Sequence, residues 1–323
     1  MPIIPSDFRP PWYLREGHVQ TILPVLLPRR VDLTFERERW ESPDGDFLDL
    51  DWARSGRNHV AILSHGLEGS SKDACIRGMA AALVAAGWDV LAWNFRGCGG
   101  EANRLLRFYH SGETGDLAAV IGYAAAAYTR VALIGFSLGG NVTLKYLGEA
   151  QTHPAVVAGV GISVPVDLAA SVRVLDQRWA NRIYLRRLLE PLVAKVQAKA
   201  RLFPHQLDVA GARAIRTFAE FDGRYTAPLH GFRDAMDYWA RSSARPFLPR
   251  ITVPTLLLNA RNDPLLAPEC FPFEEAEANP ALFLEAPKSG GHVGFLDFFH
   301  GLHPWSEQRV VKFLTSLNLP ESK

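Results

Sequence analysis

The chain has 323 residues, 48% hydrophobic and 21% charged, and 35 Lys and Arg against 34 Asp and Glu leave a net charge of +1. That balance argues against a disordered chain and against a general nucleic-acid binder, which carries a basic excess. Chains of this size bury roughly 75% of their unfolded surface, enough for one large domain or two smaller ones. Cys75, Cys98 and Cys270 are widely spaced, odd in number and without a CxxC pair, which fits reduced thiols better than a disulfide framework or a zinc knuckle. The N-terminal MPIIPSDFRPPW puts prolines and an Asp where a secretory signal needs an apolar run. No window holds the ~18 apolar residues of a membrane span, so a soluble, cytoplasmic protein is expected.

In chain order, residues 1–58 read as a Pro-rich arm and an antiparallel edge hairpin, Val31–Phe35 and Phe47–Asp51 joined by Pro43-Asp44-Gly45-Asp46. A buried strand follows at His59–Ser64, then a helix from about Asp73 to Ala86 that stops at Gly87. Trp88–Trp93 is the next strand, Gly115–Tyr128 a helix, Val131–Phe136 a strand and Leu138–Glu149 a helix. Val156–Ile162, Pro254–Asn259 and Leu282–Glu285 complete the strands. Near-continuous apolar strands separated by helices predict an α/β fold with a mostly parallel, doubly wound sheet covered on both faces. Residues from about 165 to 250 are mostly helical and interrupt the strand series, as a cap above the C-terminal strand ends would. One domain spanning 1–323 then accounts for the whole length.

Gly135-Phe136-Ser137-Leu138-Gly139 matches G-x-S-x-G, following an apolar strand and opening a helix, the context of a nucleophile elbow. A passive serine in a small-residue turn is the bland alternative. A serine nucleophile needs a base, and His292 in Ser289-Gly-Gly-His-Val-Gly294 lies on a glycine-rich loop able to carry an imidazole into a crevice. The acid that orients it is Asp263 in Asn259-Ala-Arg-Asn-Asp-Pro264, with Asp167 in Val164-Pro-Val-Asp167 as a rival that could instead cap the next helix. Both candidates keep the order Ser…Asp…His at strand ends. The oxyanion hole is assigned to the backbone N–H groups of Leu138, after the nucleophile, and Leu67 in His65-Gly-Leu-Glu-Gly69. His65 reads as a support of that turn. His300 and His303 lack an HExxH arrangement and read as structural, and Cys98 has no evident base partner.

These residues resemble the α/β-hydrolase superfamily and, within it, the YheT-like family of hydrolases. Further similar blocks are Pro11-Trp-Tyr-Leu-Arg-Glu-Gly-His-Val-Gln-Thr-Ile22, Gly66–Ser71, Asn94–Cys98, Tyr109–Thr114 and Gly290–Phe295, covering the chain from about residue 8 to 315. The resemblance implies Ser137, Asp263 and His292 as a triad and a serine esterase acting on short- to medium-chain acyl esters. Arg96, Tyr109, His110 and Glu113 fall in these blocks and are expected to brace loops.

An acyl-enzyme mechanism of this kind needs neither metal nor organic cofactor, and its partner is a small-molecule acyl ester rather than nucleic acid. Acyl transfer to an alcohol uses the same residues, and a non-catalytic binding protein can share the fold. Val172–Phe203 combines Arg173, Arg178, Arg182, Arg186, Arg187, Lys195, Lys199 and Arg201 with an apolar side. The expectation is apolar packing on the domain with a solvated basic side; a transient approach to anionic lipid is the alternative.

Overall fold

The computed structural model describes residues 2–27, 29–149, 152–297 and 303–317. Nine strands form one sheet in the order β1-β9-β8-β7-β6-β4-β5-β3-β2. They are β1 (Ile3–Ile4), β2 (Glu36–Glu41), β3 (Phe47–Ala53), β4 (His59–Ser64), β5 (Asp89–Trp93), β6 (Arg130–Phe136), β7 (Val156–Ile162), β8 (Thr255–Leu258) and β9 (Leu282–Glu285). From β1 through β5 in that order every neighbouring pair is parallel, while β3 runs antiparallel to β5 and β2 to β3. The apolar runs become central strands because both faces are covered: every residue of β5 and β8 is buried.

The helices are α1 (Gly17–Leu26), α2 (Ala74–Ala85), α3 (Thr114–Ala125), α4 (Leu138–Glu149), α5 (Leu168–Gln177), α6 (Arg182–Leu202), α7 (Phe218–Phe221), α8 (Ala227–Leu229), α9 (Ala235–Ser242), α10 (Phe273–Ala278) and α11 (Trp305–Ser316). Side chains alternate across the sheet with the period of two. Val60 and Ile62 of β4 join a core with Leu117, Val120 and Ile121 of α3, while Ala61 and Leu63 join Met79 and Leu83 of α2 and Phe313 of α11 on the other face. Between β7 and β8 the described chain contains helices and turns but no strand.

Three expectations change. The first hairpin strand is Glu36–Glu41, not Val31–Phe35. In the preceding segment the carbonyls of Val31 and Leu33 accept from the Arg77 guanidinium instead of a strand partner. The charged strand is held by its neighbour: Arg37 pairs with Asp51 at 2.6 Å and Arg39 with Asp49 at 2.9 Å. The Pro-rich arm also contributes structure, as β1 beside β9 and as α1. Finally, the basic side of α6 is not uniformly solvated. Lys199 is buried and Lys195 half-buried: Lys199 Nζ donates to the carbonyls of Asn103 and Leu105, and Lys195 Nζ lies 2.8 Å from Glu68 Oε1.

Among the described residues no helix is long and apolar enough to cross a membrane. His300 lies outside the described residues, and His303 Nδ1 sits 2.7 Å from Arg29 Nη1.

Candidate active site

Ser137 occupies the turn between β6 and α4 with φ +50°, a left-handed backbone that costs of order 1–3 kcal/mol and is held by its surroundings. Its N–H donates to Ile162 O at 2.9 Å. The flanking glycines are demanded by contact: a Cβ on Gly135 would stand 2.3 Å from Gly139 O, and one on Gly139 would stand 2.3 Å from Ser64 O. The turn thus brings α4 against β4 and β6 and leaves Ser137 at the C-terminal end of the central strand β6, lining the cavity.

His292 Nε2 lies 3.0 Å from Ser137 Oγ, and Nδ1 lies 2.8 Å from Asp263 Oδ2. The other carboxylate oxygen of Asp263 accepts the Leu265 N–H at 2.8 Å, which fixes the plane of this buried acid. Asp167, the rival, is turned away: its Oδ1 accepts the Ala170 N–H at 3.0 Å and caps α5. With Nδ1–H donated to the carboxylate, Nε2 is left as an acceptor facing the Ser137 hydroxyl.

The loop carrying His292 is held from three sides. Its own N–H donates to Thr21 Oγ1 at 2.9 Å, the Val293 N–H to Ser163 Oγ at 2.9 Å, and the Gly291 N–H to Asn262 Oδ1 at 3.1 Å. Buried Gln20 donates to the Leu14 and Leu296 carbonyls and accepts the Leu296 N–H. None of Gln20, Thr21, Ser163 or Asn262 is a site candidate from sequence. The available signal was the block Pro11–Ile22, which carries the first two without revealing what they touch.

Leu67 and Leu138 line the cavity beside Ser137 and His292, and neither N–H donates to another group among the described residues. Leu138 opens α4, so its amide also carries the positive end of the helix dipole. The Leu67 turn is pinned by its neighbour Glu68, at φ +52°. The Glu68 N–H donates to Tyr109 Oη, and the Tyr109 hydroxyl donates to Glu68 Oε1, both at 2.7 Å. His65 supports the same turn from below. It donates from Nδ1 to Gly66 O and accepts the Phe95 N–H at Nε2, and burial pushes its pKa down to about 3, so the ring is neutral. Cys98, 3.1 Å from Lys195 Nζ, has its thiol pushed up to about 11 by burial and stays protonated.

Of the other loop residues, Arg96 is buried and forks onto Asp116 at 2.6 and 2.7 Å and onto Asp46 at 2.9 Å, tying the hairpin turn to α3. Tyr109 and His110 reach the cavity wall.

The cavity above Ser137 measures about 1110 Å³ and lies between the strand ends and the helices of the 168–250 segment. Leu168, Val172, Leu175, Leu192, Leu265 and Leu266 make its wall largely apolar, and Asp222, Thr226 and Tyr238 form a polar end. Buried donors near a nucleophile, with an apolar wall beyond, suit a substrate whose reacting carbonyl is polar and whose remainder is hydrocarbon.

Comparison with known proteins agrees with this architecture. The α/β hydrolase fold family matches residues 61–299. The chain is 36% identical to YheT of Escherichia coli strain K12 over 321 residues, 96% of this chain and 94% of that protein. It is 27% identical to the mouse phospholipase ABHD3, over 92% of this chain and 75% of that one. Against the monoacylglycerol lipase of Saccharomyces cerevisiae it is 26% identical, over 86% and 63%. The solved esterase Pf2001 of Pyrococcus furiosus superposes with a TM-score of 0.60 at 20% identity, covering 90% of this chain and 95% of that chain. The family match over residues 61–299, the mostly parallel sheet and near full-length similarity to YheT lead to one conclusion: this chain belongs to the α/β-hydrolase family, in its YheT-like branch.

Proposed function

We propose that Ser137, His292 and Asp263 are the catalytic triad of a carboxylic ester hydrolase that works through an acyl-enzyme. The observation that carries this reading is the unbroken hydrogen-bonded relay from Ser137 Oγ through His292 to Asp263, opening into an apolar cavity. His292 takes the serine proton as Oγ attacks the ester carbonyl. The Leu67 and Leu138 amides receive the developing oxyanion, and Asp263 stabilises the imidazolium. His292 then protonates the departing alcohol. Water enters, loses its proton to the same Nε2, and releases the acid.

Relatives named phospholipase and monoacylglycerol lipase support esters of fatty acids as the substrate class. A cavity of about 1110 Å³, slightly above the roughly 300–1,000 Å³ usual for small-molecule sites, has room for a short- to medium-chain acyl group. The test is a p-nitrophenyl ester series of increasing chain length on wild type and Ser137→Ala. Wild type should show an optimum among short to medium chains, and the variant should lose about 10⁴-fold or more in kcat. Turnover that survives Ser137→Ala removes the mechanism. Added ethanol probes the intermediate: one acyl-enzyme gives the same ethyl ester to acid ratio whatever the leaving alcohol, and a ratio that follows the leaving group excludes it.

A further inference from the structure

Helix α1 is inverted with respect to water. Its polar Gln20 and small Gly17 face inward against the His292 loop, while Val19, Ile22, Val25 and Leu26 are exposed, with Leu27 just beyond. A surface helix ordinarily does the opposite. The start of α6 shows the same feature: Trp179, in the turn just before it, is 82% exposed and Ile183 is 73% exposed.

These two elements are neighbours. His18 Nδ1 of α1 lies 2.9 Å from Tyr184 Oη of α6, with the rings stacked 5.7 Å apart. Val25 from one side and Ile183 from the other line the cavity that holds Ser137, so exposed apolar surface continues into the site. Arg178, Arg182, Arg186 and Arg187 are exposed on the same turns of the α6 region. Arg186 pairs with Glu190 at 2.6 Å.

We propose that the exposed apolar rim formed by α1 and the start of α6 docks this protein on an anionic lipid surface, with the cavity mouth facing the lipid. Exposed Trp, Ile, Val and Leu bordered by arginines match the two halves of such a surface: acyl chains below and negatively charged headgroups above. A second copy of the chain is a poorer occupant. Across a two-fold contact the patch meets itself, and the arginines of the two copies would be set against one another. Docked in this way, an ester carbonyl reaches Ser137 directly from the lipid phase. That last step rests on the ester-hydrolase reading; the docking itself does not.

The test is flotation of the full chain with vesicles of phosphatidylcholine alone and of phosphatidylcholine mixed with phosphatidylglycerol. Two double variants accompany it, Leu26→Glu with Trp179→Glu and Arg178→Glu with Arg182→Glu, with thermal melts confirming that they fold. None of these four side chains lines the cavity. Wild type should float with the anionic vesicles, progressively less as salt is raised, and each variant should lose about tenfold in partitioning. Turnover of soluble p-nitrophenyl acetate should be unchanged in both. No flotation with anionic vesicles, or equal flotation of wild type and variants, overturns the proposal. So does a dimer in sedimentation that Leu26→Glu dissociates, which would assign the patch to a second copy. Ser137→Ala should float as wild type does. Flotation without any esterase activity therefore sinks the catalytic reading alone, and activity without flotation sinks the docking alone.

Discussion

Asp167 and Asp263 follow adjacent parallel strands, and their side chains do different work. Asp167 spends its carboxylate on the α5 amide of Ala170, whereas Asp263 gives one oxygen to Leu265 and keeps the other for His292. Asp263→Asn should therefore lower kcat by about 10³-fold or more, because the amide no longer favours the tautomer with Nδ1–H or stabilises the imidazolium. Asp167→Ala should keep kcat and cost about 1 kcal/mol of stability, the usual loss of a helix cap, read from urea melts. Activity lost only in the second variant would exchange the two roles. The sequence narrowed the acid to these two positions, since both stand at strand ends in the right order. The turn at Pro264 favours Asp263 but does not exclude Asp167, because the choice lies in which amide each carboxylate meets.

At the scale of elements, the cavity roof and the turn proposed to hold the oxyanion are joined by an ion pair from which water is largely excluded. Lys195 of α6 reaches Glu68, beside Leu67, and their side chains are only 10% and 9% exposed. Lys195→Met strands the Glu68 carboxylate in a site from which water is largely excluded, at a cost of about 3–5 kcal/mol. The same change should lower kcat more than it raises KM, as the Leu67 amide loses its fixed direction. Adding Glu68→Gln should recover much of the stability, and a double-mutant cycle with a coupling near zero would show that the pair does not act as a unit. Composition presents Lys195 as one more basic residue on an amphipathic helix; its burial depends on where α6 crosses the loop after β4. The hairpin shows the same limit. Glu36–Glu41 lacks apolar alternation, and its identity as a strand rests on Asp49 and Asp51 waiting across the ladder.

Over the whole molecule, net charge near zero conceals uneven environments. Asp222, at the polar end of the cavity, accepts from Thr226 Oγ1 and Trp239 Nε1, yet burial outweighs both and pushes its carboxyl up from 3.8 to about 6. A carboxyl whose folded pKa is raised contributes stability that is fully present below its unfolded pKa. That stability is lost as pH rises through the folded value. Between these two values the loss approaches about 3 kcal/mol as an upper bound. Asp222→Asn should flatten the dependence of unfolding free energy on pH across this window, measured by denaturant melts at a series of pH values. An unchanged slope would place the titration elsewhere.

What the sequence determined by itself is what neighbouring residues enforce on each other. Apolar runs of strand length specify the central parallel sheet, and Gly135 and Gly139 around Ser137 specify a strained turn that admits no Cβ. The two glycines before His292 mark a loop free to enter a crevice. The tertiary structure alone decided how these parts meet. Thr21 reaches the His292 amide across 271 residues, and His18 reaches Tyr184 across 166. Such contacts leave no periodicity to read, because they arise from strand order, which sets chain segments remote in sequence side by side. For the same reason α1, a helix with its polar residue inside and its apolar residues outside, reads from sequence as a Pro-rich arm. Its inward face is decided by the His292 loop that it supports.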